Sequence, residues 1–278
     1  MKSIGMIGCG NMGSAIIKGY LQKNPDAAGL ITVYDLDHSK VAELRKLWPG
    51  IKAAESLEEL TEAAELILIA VKPQHFKEVI DEIGGRLNAE KHFIVSIAVG
   101  MPIDRISAWL DASSRQTERS AWRIVRVMPN TPALIGQGMS ALCRSSAVSD
   151  TDFQEAIGLF KAVGRAVEIP EQLMHAVVGV SGSSPAYVYM FIEALADGAV
   201  AWGLSRSAAY EMAAQTVLGA AAMVLDSELH PGQLKDMVCS PGGTTIQAVA
   251  ALEDKGLRTA VLAAVDAAAG KSKEMDEQ

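Results

Sequence analysis

The stretch Ser3-Ile4-Gly5-Met6-Ile7-Gly8-Cys9-Gly10-Asn11-Met12-Gly13-Ser14 decides the fold. Ser3 to Ile7 reads as a short apolar strand, and a helix is predicted from about Ser14 to Gln22. The glycines between them spell G-x-G-x-x-G directly after a strand and opening a helix, the context in which that pattern binds a dinucleotide. Gly8 would make the tight turn, Gly10 would admit the pyrophosphate, and Gly13 would let the helix pack on the strand. Without a ligand, the same glycines would be a merely structural turn. Glycines 5, 8, 10 and 13 also break the apolar run that, after a single lysine, imitates a secretory leader.

The chain continues in the same alternation. Leu30–Tyr34 is a second strand with Asp35 at its C-terminal end, where an acid usually takes the adenosine ribose 2′-hydroxyl and so favours NAD(H). His38, Ser39 and Lys40 follow at once and could instead supply donors to a 2′-phosphate. The continuous apolar run Leu66–Val71 is a parallel strand buried on both faces, ending in Lys72-Pro73-Gln74. Val71, Lys72 and Pro73 therefore lie where ligands of open α/β sheets bind, with Lys72 either on the nicotinamide side or simply a solvated lysine at a strand end. A strand over 124–128 runs into Pro129-Asn130-Thr131-Pro132, a turn stiffened by two prolines that suits contact with a cofactor face. Further strands at 52–53, 92–97, 136–143 and 166–169 and helices at 39–47, 57–64, 76–87, 102–110 and 150–163 complete a Rossmann-type doubly wound α/β sheet over residues 1–170. Asp111–Arg123 shows no clear period and reads as a surface excursion.

After Pro170 strand-like runs vanish and alanine-rich helical spacing takes over, giving an all-α domain over 171–278. A helix over 171–178 is interrupted by Gly179–Pro185. Long helices at 185–202 and 205–227 follow, then a short one at 233–238 and a last one from 257 to 271 ahead of a frayed tail, 272–278. The long helices carry more apolar surface than about a hundred residues hide by themselves, so this domain is expected to pair with a second copy.

Ser240-Pro241-Gly242-Gly243-Thr244-Thr245 precedes an apolar run with helical spacing (Ile246, Val249, Ala250, Leu252). Two glycines allow a tight turn. The first-turn N–H groups of the helix have no intrahelical acceptor and sit at the positive end of its dipole. Such a junction holds a carboxylate or phosphate, and the Thr245 hydroxyl could reach another polar atom of the same ligand. An ordinary capped helix start has the same local pattern.

Of the 278 residues, 49% are hydrophobic and the net charge is −8, which argues against a nucleic-acid partner. No uninterrupted apolar run approaches the ~18–20 residues of a membrane span. Three scattered cysteines without CxxC or Cys/His spacing fit a reducing compartment, and five scattered histidines show no metal-like spacing. His230, the one histidine beside a candidate site, reads as structural. No Ser/His/Asp order is recognisable, so a cofactor must carry the hard chemistry, here hydride transfer.

Over nearly its whole length the chain resembles the pyrroline-5-carboxylate reductase family. The residues that carry the resemblance are Ile7–Gly13, Val71–Gln74, Val127–Ala133, Val180–Tyr187 and His230–Asp236 leading into Ser240–Thr245. It implies reduction of 1-pyrroline-5-carboxylate to L-proline, the last step of proline synthesis, with NADPH or NADH. It also implies a cytoplasmic homodimer interlocked through its helical domain, assembling into rings as large as a decamer. By the same resemblance, Ser240, Gly242, Gly243 and Thr244 hold the substrate carboxylate, and Thr245 places its hydroxyl near the ring nitrogen. Glu228 lies near the substrate, and Asn11, Met12, Lys72, Pro73, Asn130 and Thr131 line the cofactor groove. Ser184 stands where the family usually has glycine, and Asp35 where many members carry a phosphate-friendly residue. Two other readings stay open: a reductase of another cyclic imine or a β-hydroxy acid, and a non-catalytic dinucleotide-binding protein. The β-hydroxy-acid version needs a lysine on the helix over 185–202, which has none.

Overall fold

A computed structural model describes residues 2–114 and 121–277. β1 (Ile4–Ile7) pairs in parallel with both β2 (Ile31–Tyr34) and β4 (Leu66–Ile69), and β3 (Lys52–Ala53) extends the sheet beyond β2. β5 (Phe93–Ser96) and β6 (Arg123–Met128) continue the parallel order on the other side. β7 (Gly138–Arg144) turns back antiparallel to β6, and β8 (Gly164–Glu168) runs parallel to β7. The order is β3-β2-β1-β4-β5-β6-β7-β8. Chain direction across the sheet therefore reverses between β1 and β4, which opens a crevice at the C-terminal end of β1, beside Gly8.

Successive strand residues point to opposite faces, so strands buried on both faces must be apolar throughout. Met6, Leu66, Leu68, Phe93 and Val95 join a core with α1 (Asn11–Lys23), α2 (His38–Leu47) and α6 (Asp150–Lys161). Ile7, Ile67, Ile69 and Ile94 join the opposite core with α3 (Leu57–Ala63), α4 (Pro73–Ile83) and α5 (Ile103–Ser113). At the N-terminal edge of the strands, away from the crevice, Asp152 (side chain 7% exposed) pairs with Lys2 at 2.5 Å and Arg123 at 2.9 Å. Burial pushes the Asp152 carboxyl up, but bonds from Lys2 and Arg123 outweigh it and hold it below the usual carboxylate range. The group is charged in the fold and takes up a proton more readily when unfolded. Its stabilisation is therefore complete above about pH 4, the pKa of a free aspartate, and is lost as pH falls through the lower folded value. Urea midpoints measured from pH 6 down to pH 3 should fall along this limb, and Asp152→Asn should flatten it.

Four features differ from the sequence expectation. α1 begins at Asn11, not Ser14, because Gly10 is already its extended N-cap (φ −67°, ψ −176°). Within the expected excursion, α5 continues to Ser113, the Trp122 indole N–H donates to Asp111 at 2.8 Å, and β6 starts at Arg123. Residues 115–120 lie outside the described residues. The Gly/Ser cluster after 178 keeps helical turns as far as Gly182, and the chain bends only at Ser183. A 3₁₀ turn (Glu171–Leu173) and α7 (Met174–Val177) pass into one wide π turn (Val178–Gly182), and α8 (Ser184–Ala201) follows. Ser184 is helical and carries none of the left-handed strain that replacing a turn glycine would bring.

The tail is the fourth. α12 (Leu257–Glu277) runs on past Lys271, and Ser272 is 1% exposed. Packing divides the chain into Met1–Gly182 with Ala268–Gln278, and Ser183–Ala267, rather than at 170/171. The end of α12 thus belongs to the sheet unit. Arg126 of β6, 3% exposed, pairs with Asp276 at 3.1 Å and Glu171 at 3.1 Å. Arg105 donates to the Gly100, Met275 and Asp276 carbonyls, and the His175 ring meets the Ser272 hydroxyl at 3.0 Å.

In the helical unit α8 packs on α9 (Arg206–Asp226), followed by α10 (Pro231–Val238) and α11 (Thr244–Asp254). Within Ser183–Ala267 the buried residues are the alanines Ala196, Ala209 and Ala213. Met190, Trp202, Leu218 and Leu262 are left more than half exposed. By length and composition alone α9 could cross a membrane, although no uninterrupted apolar run in it is that long. Three buried alanines do not make a core.

Candidate functional site

The cofactor crevice is built from backbone. Gly8 sits at φ +98°, and a Cβ there would lie 2.7 Å from the Ala70 carbonyl oxygen. Its N–H donates to the Tyr34 carbonyl at 2.8 Å, tying the turn to β2. At Gly13 a Cβ would come within 2.3 Å of the Gly8 oxygen, so the helix closes on the strand only with glycine there. Gly10 is different. Nothing lies within 4 Å of where its Cβ would be, and no side chain caps α1. The first-turn N–H groups, those of Asn11 and Met12 among them, are left without an intrahelical acceptor. That cradle fits the pyrophosphate of a dinucleotide.

Asp35 is less free than its place at the end of β2 suggests. Its carboxylate accepts the Cys9 N–H at 2.7 Å and the Asp37 N–H at 2.8 Å, and its side chain is 13% exposed. It therefore braces the glycine turn, with lone pairs left for a ribose hydroxyl. Burial first, then the charge of Asp35, pushes the Cys9 thiol up to about 12, so it is inert as a nucleophile at neutral pH. A cavity of about 370 Å³ is lined by Gly8, Gly10, Asp35, Leu36, Val71 and Lys72. Lys72 shares this cavity with the end of β2. Lys72 is also the N-cap of α4 and Pro73 its first residue. A second cavity of about 590 Å³ is lined by Gly10, Asn11, Ser14, Lys18, Lys40 and the turn 133–136. Met12 is half-buried against the core.

Asn130 and Thr131 line neither cavity. The Asn130 side chain accepts the Met139 N–H at 2.8 Å and donates to the Ser181 carbonyl at 3.0 Å. Both ends of its amide are engaged within the protein, which makes it a clamp between β7, the π turn and the start of the 3₁₀ turn Thr131–Ile135. Sequence reasoning offered no signal for that role, because the partners lie up to 51 residues away.

In the helical unit, Gly242 turns the chain at φ +69°, and the Gly243 N–H donates to the Ser240 carbonyl at 3.1 Å. A Cβ on Gly243 would lie 2.3 Å from the Ser240 hydroxyl oxygen. Gly243 is the extended N-cap of α11 and contributes no side-chain cap. The N–H groups of Thr244, Thr245 and Ile246 accordingly have no intrahelical acceptor, at the positive end of the dipole. Thr244 is exposed and Thr245 half-buried. The arrangement presents N–H donors and hydroxyls to one anion. Glu228, exposed, is the only non-glycine residue with positive φ (56°) among the described residues. A left-handed backbone costs an L-residue roughly 1–2 kcal/mol, and such strain gathers at ligand sites. His230 is structural: its Nδ1 accepts the Gly232 N–H at 3.0 Å and its N–H donates to Gln233, a capping box for α10.

Comparisons with known proteins accord with this geometry. The family description "Pyrroline-5-carboxylate reductase dimerisation" matches residues 171–275, and "NADP oxidoreductase coenzyme F420-dependent" matches residues 3–100. The chain is 46% identical to the pyrroline-5-carboxylate reductase of Escherichia coli, over 99% of each chain. A pyrroline-5-carboxylate reductase structure from Coxiella burnetii superposes with a TM-score of 0.91 at 33% identity, covering 100% of this chain and 99% of that one. A Plasmodium falciparum pyrroline carboxylate reductase with NADP bound superposes with a TM-score of 0.83 at 32% identity, covering 99% and 98%. Helices that bury three alanines by themselves, joined to a glycine-turn sheet unit, are what a dimerising reductase of this kind requires, and the chain belongs to the pyrroline-5-carboxylate reductase family.

Proposed function

We propose that this protein reduces 1-pyrroline-5-carboxylate to L-proline with NADPH or NADH, the last step of proline synthesis. The observation that carries the reading is the uncapped start of α11 behind the Gly242 turn, an anion-binding junction in a chain that also has an open dinucleotide cradle. The substrate carboxylate would be held by the N–H groups of the 240–244 loop. Thr245, the second residue of α11, would direct its hydroxyl to the ring nitrogen and hold or deliver the proton there. Glu228 would border the substrate. Gly8, Gly10, Asn11, Met12 and Gly13 would hold the pyrophosphate, and Asp35 the adenosine ribose, with Val71, Lys72, Pro73 and Thr131 along the groove. Asn130 would keep the groove's turn in place through Met139 and Ser181. When bound, the reduced nicotinamide supplies a hydride to the C=N carbon. A protonated imine is already electrophilic, so one positioned hydroxyl and one carboxylate anchor suffice.

The exposed faces of α8 and α9 support a homodimer through the helical unit, with dimers building up to a decamer. A cytoplasmic location without membrane or nucleic-acid partners accords with the net charge of −8. The test is oxidation of reduced cofactor at 340 nm with 1-pyrroline-5-carboxylate, run with NADH and with NADPH. Turnover at kcat on the order of 1–10³ per second is expected. No turnover with either, from folded protein that binds cofactor, would overturn the assignment.

A further inference from the structure

Asp37 collects the donors that a phosphate at the end of β2 would need. Its carboxylate accepts the Ser39 N–H at 3.1 Å and the Ser39 hydroxyl at 2.6 Å, and Lys40 stands 3.6 Å away. Lys40 is also 3.5 Å from Asp35, so one ammonium is shared by two carboxylates. We propose that Asp37 occupies, from within the chain, the subsite for the 2′-phosphate of NADPH, and that Asp35, Asp37 and Lys40 together make the protein prefer NADH.

Three features of this corner favour it. The first is charge. Two carboxylates against one ammonium leave the end of β2 net negative. Asp35 and Lys40 line the cavity of about 370 Å³, with Asp37 just outside its lining, and Glu78 and Glu82 reach it from α4 together with Lys72 and a His75 ring that meets Glu78 at 3.4 Å. A dianionic phosphate entering there is repelled, whereas a ribose hydroxyl is not. The second is donor supply. Of the three residues at the start of α2 that could serve a phosphate, Ser39 and Lys40 turn their groups to Asp37 and Asp35, which leaves the exposed His38. The Ser39 hydroxyl above all holds the Asp37 carboxyl below the usual carboxylate range, so it is charged at neutral pH. The third separates the two acids. Asp35 is bound to the Cys9 N–H of the glycine turn, so removing it loosens the whole cradle. Asp37 is exposed, and besides pairing with Lys40 its side chain caps α2. Asparagine and serine also cap helices well. Asp37 is therefore the position at which the preference can be moved without damaging the turn.

The experiment is titration of the full-length oligomeric protein with NADH and with NADPH, followed by cofactor fluorescence, in the wild type and in Asp37→Asn, Asp37→Ser and Asp35→Asn. Wild type is expected to bind NADH more tightly. Asp37→Asn should tighten NADPH by roughly tenfold at low salt, the scale of one charge removed from beside a phosphate in a solvated site. The NADH constant should move much less. Asp37→Ser should do the same, which guards against a variant that folds poorly, and Asp35→Asn should weaken both cofactors. A wild type that binds NADPH as tightly as NADH would overturn the proposal. So would Asp37 variants, folded by thermal melt, that leave the ratio unchanged. It rests on the proposed reductase activity only in taking these cofactors as ligands. The constants are measured without substrate, so loss of turnover with normal cofactor binding would sink the activity and leave this proposal standing.

Discussion

Asp276→Ala is expected to destabilise the protein by roughly 3 kcal/mol, although it lies at the end of the chain where substitutions are usually silent. The cost comes from Arg126. Its guanidinium is 3% exposed, in the middle of the sheet unit, and is matched there by Glu171 on one side and both Asp276 oxygens on the other, at 3.1 and 3.2 Å. Removing Asp276 leaves a buried cation paired only with a carboxylate that is itself 29% exposed. Breaking a buried pair from one side costs about 3–5 kcal/mol, and the surviving Glu171 contact puts this case at the low end. Arg126→Met should cost less, because the side chain lost is the buried one and the two acids left behind are nearer water. Arg126→Met with Asp276→Leu should recover much of the loss, since well-packed apolar residues replace a buried ion pair at little cost. Truncation after Lys271 should resemble Asp276→Ala or exceed it, because it also removes the carbonyls that bind Arg105 and the Ser272 contact of His175. Denaturant midpoints at fixed protein concentration test the series, as dimer dissociation would otherwise enter the measurement. Equal midpoints for wild type and Asp276→Ala would mean that the tail is not held as described.

These residues also show where sequence reading stopped. The glycine turn was legible because its meaning is local: a strand, a fixed spacing and a helix, each imposed by backbone geometry within about ten residues. The buried strands were legible for the same reason, since a parallel strand covered on both faces must be apolar throughout. The uncapped start of α11 behind the Gly242 turn was legible as a glycine-rich junction before an apolar period. Arg126 and Asp276 are 150 residues apart, and nothing in a tail rich in lysine and glutamate distinguishes the one acid that reaches a buried arginine. The helical path through Gly179–Gly182 was hidden because glycine and serine read as breakers, while an extra residue per turn lets a helix keep going. Asn130 was placed along the groove by its stiff Pro-Asn-Thr-Pro turn and by the family resemblance, neither of which signals the bonds of its side chain to Met139 and Ser181. Glu228 gave no warning of its left-handed backbone, since glutamate is not a residue that seeks it.

Thr245→Ala is expected to lower kcat by roughly 10–1000-fold, the range for one lost proton donor or one lost hydrogen bond to charge that changes in the transition state. The first turn of α11 has N–H groups with no intrahelical acceptor, and Gly243 brings no side chain to cap them. A carboxylate docked there is bound before and after hydride transfer alike, so those contacts lower KM without speeding the chemical step. The Thr245 hydroxyl is placed differently, on the second residue of the helix and half-buried. It would act on the ring nitrogen, the atom whose bonding changes as C=N becomes C–N, so its contribution would grow toward the transition state. Thr245→Ala should therefore cut kcat and kcat/KM together, while the dissociation constant of the reduced cofactor stays within about twofold, a range too small to reflect a lost cofactor contact. Thr244→Ala, at an exposed position one residue earlier, should mainly raise KM. Thr245→Ser retains a hydroxyl and should recover most of the rate, and it shows that the loss is chemical rather than a collapse of the loop. If Thr245→Ala turns over as fast as the wild type, the proton must be held elsewhere. If Thr245→Ser is as slow as Thr245→Ala, the methyl group rather than the hydroxyl is what the site needs.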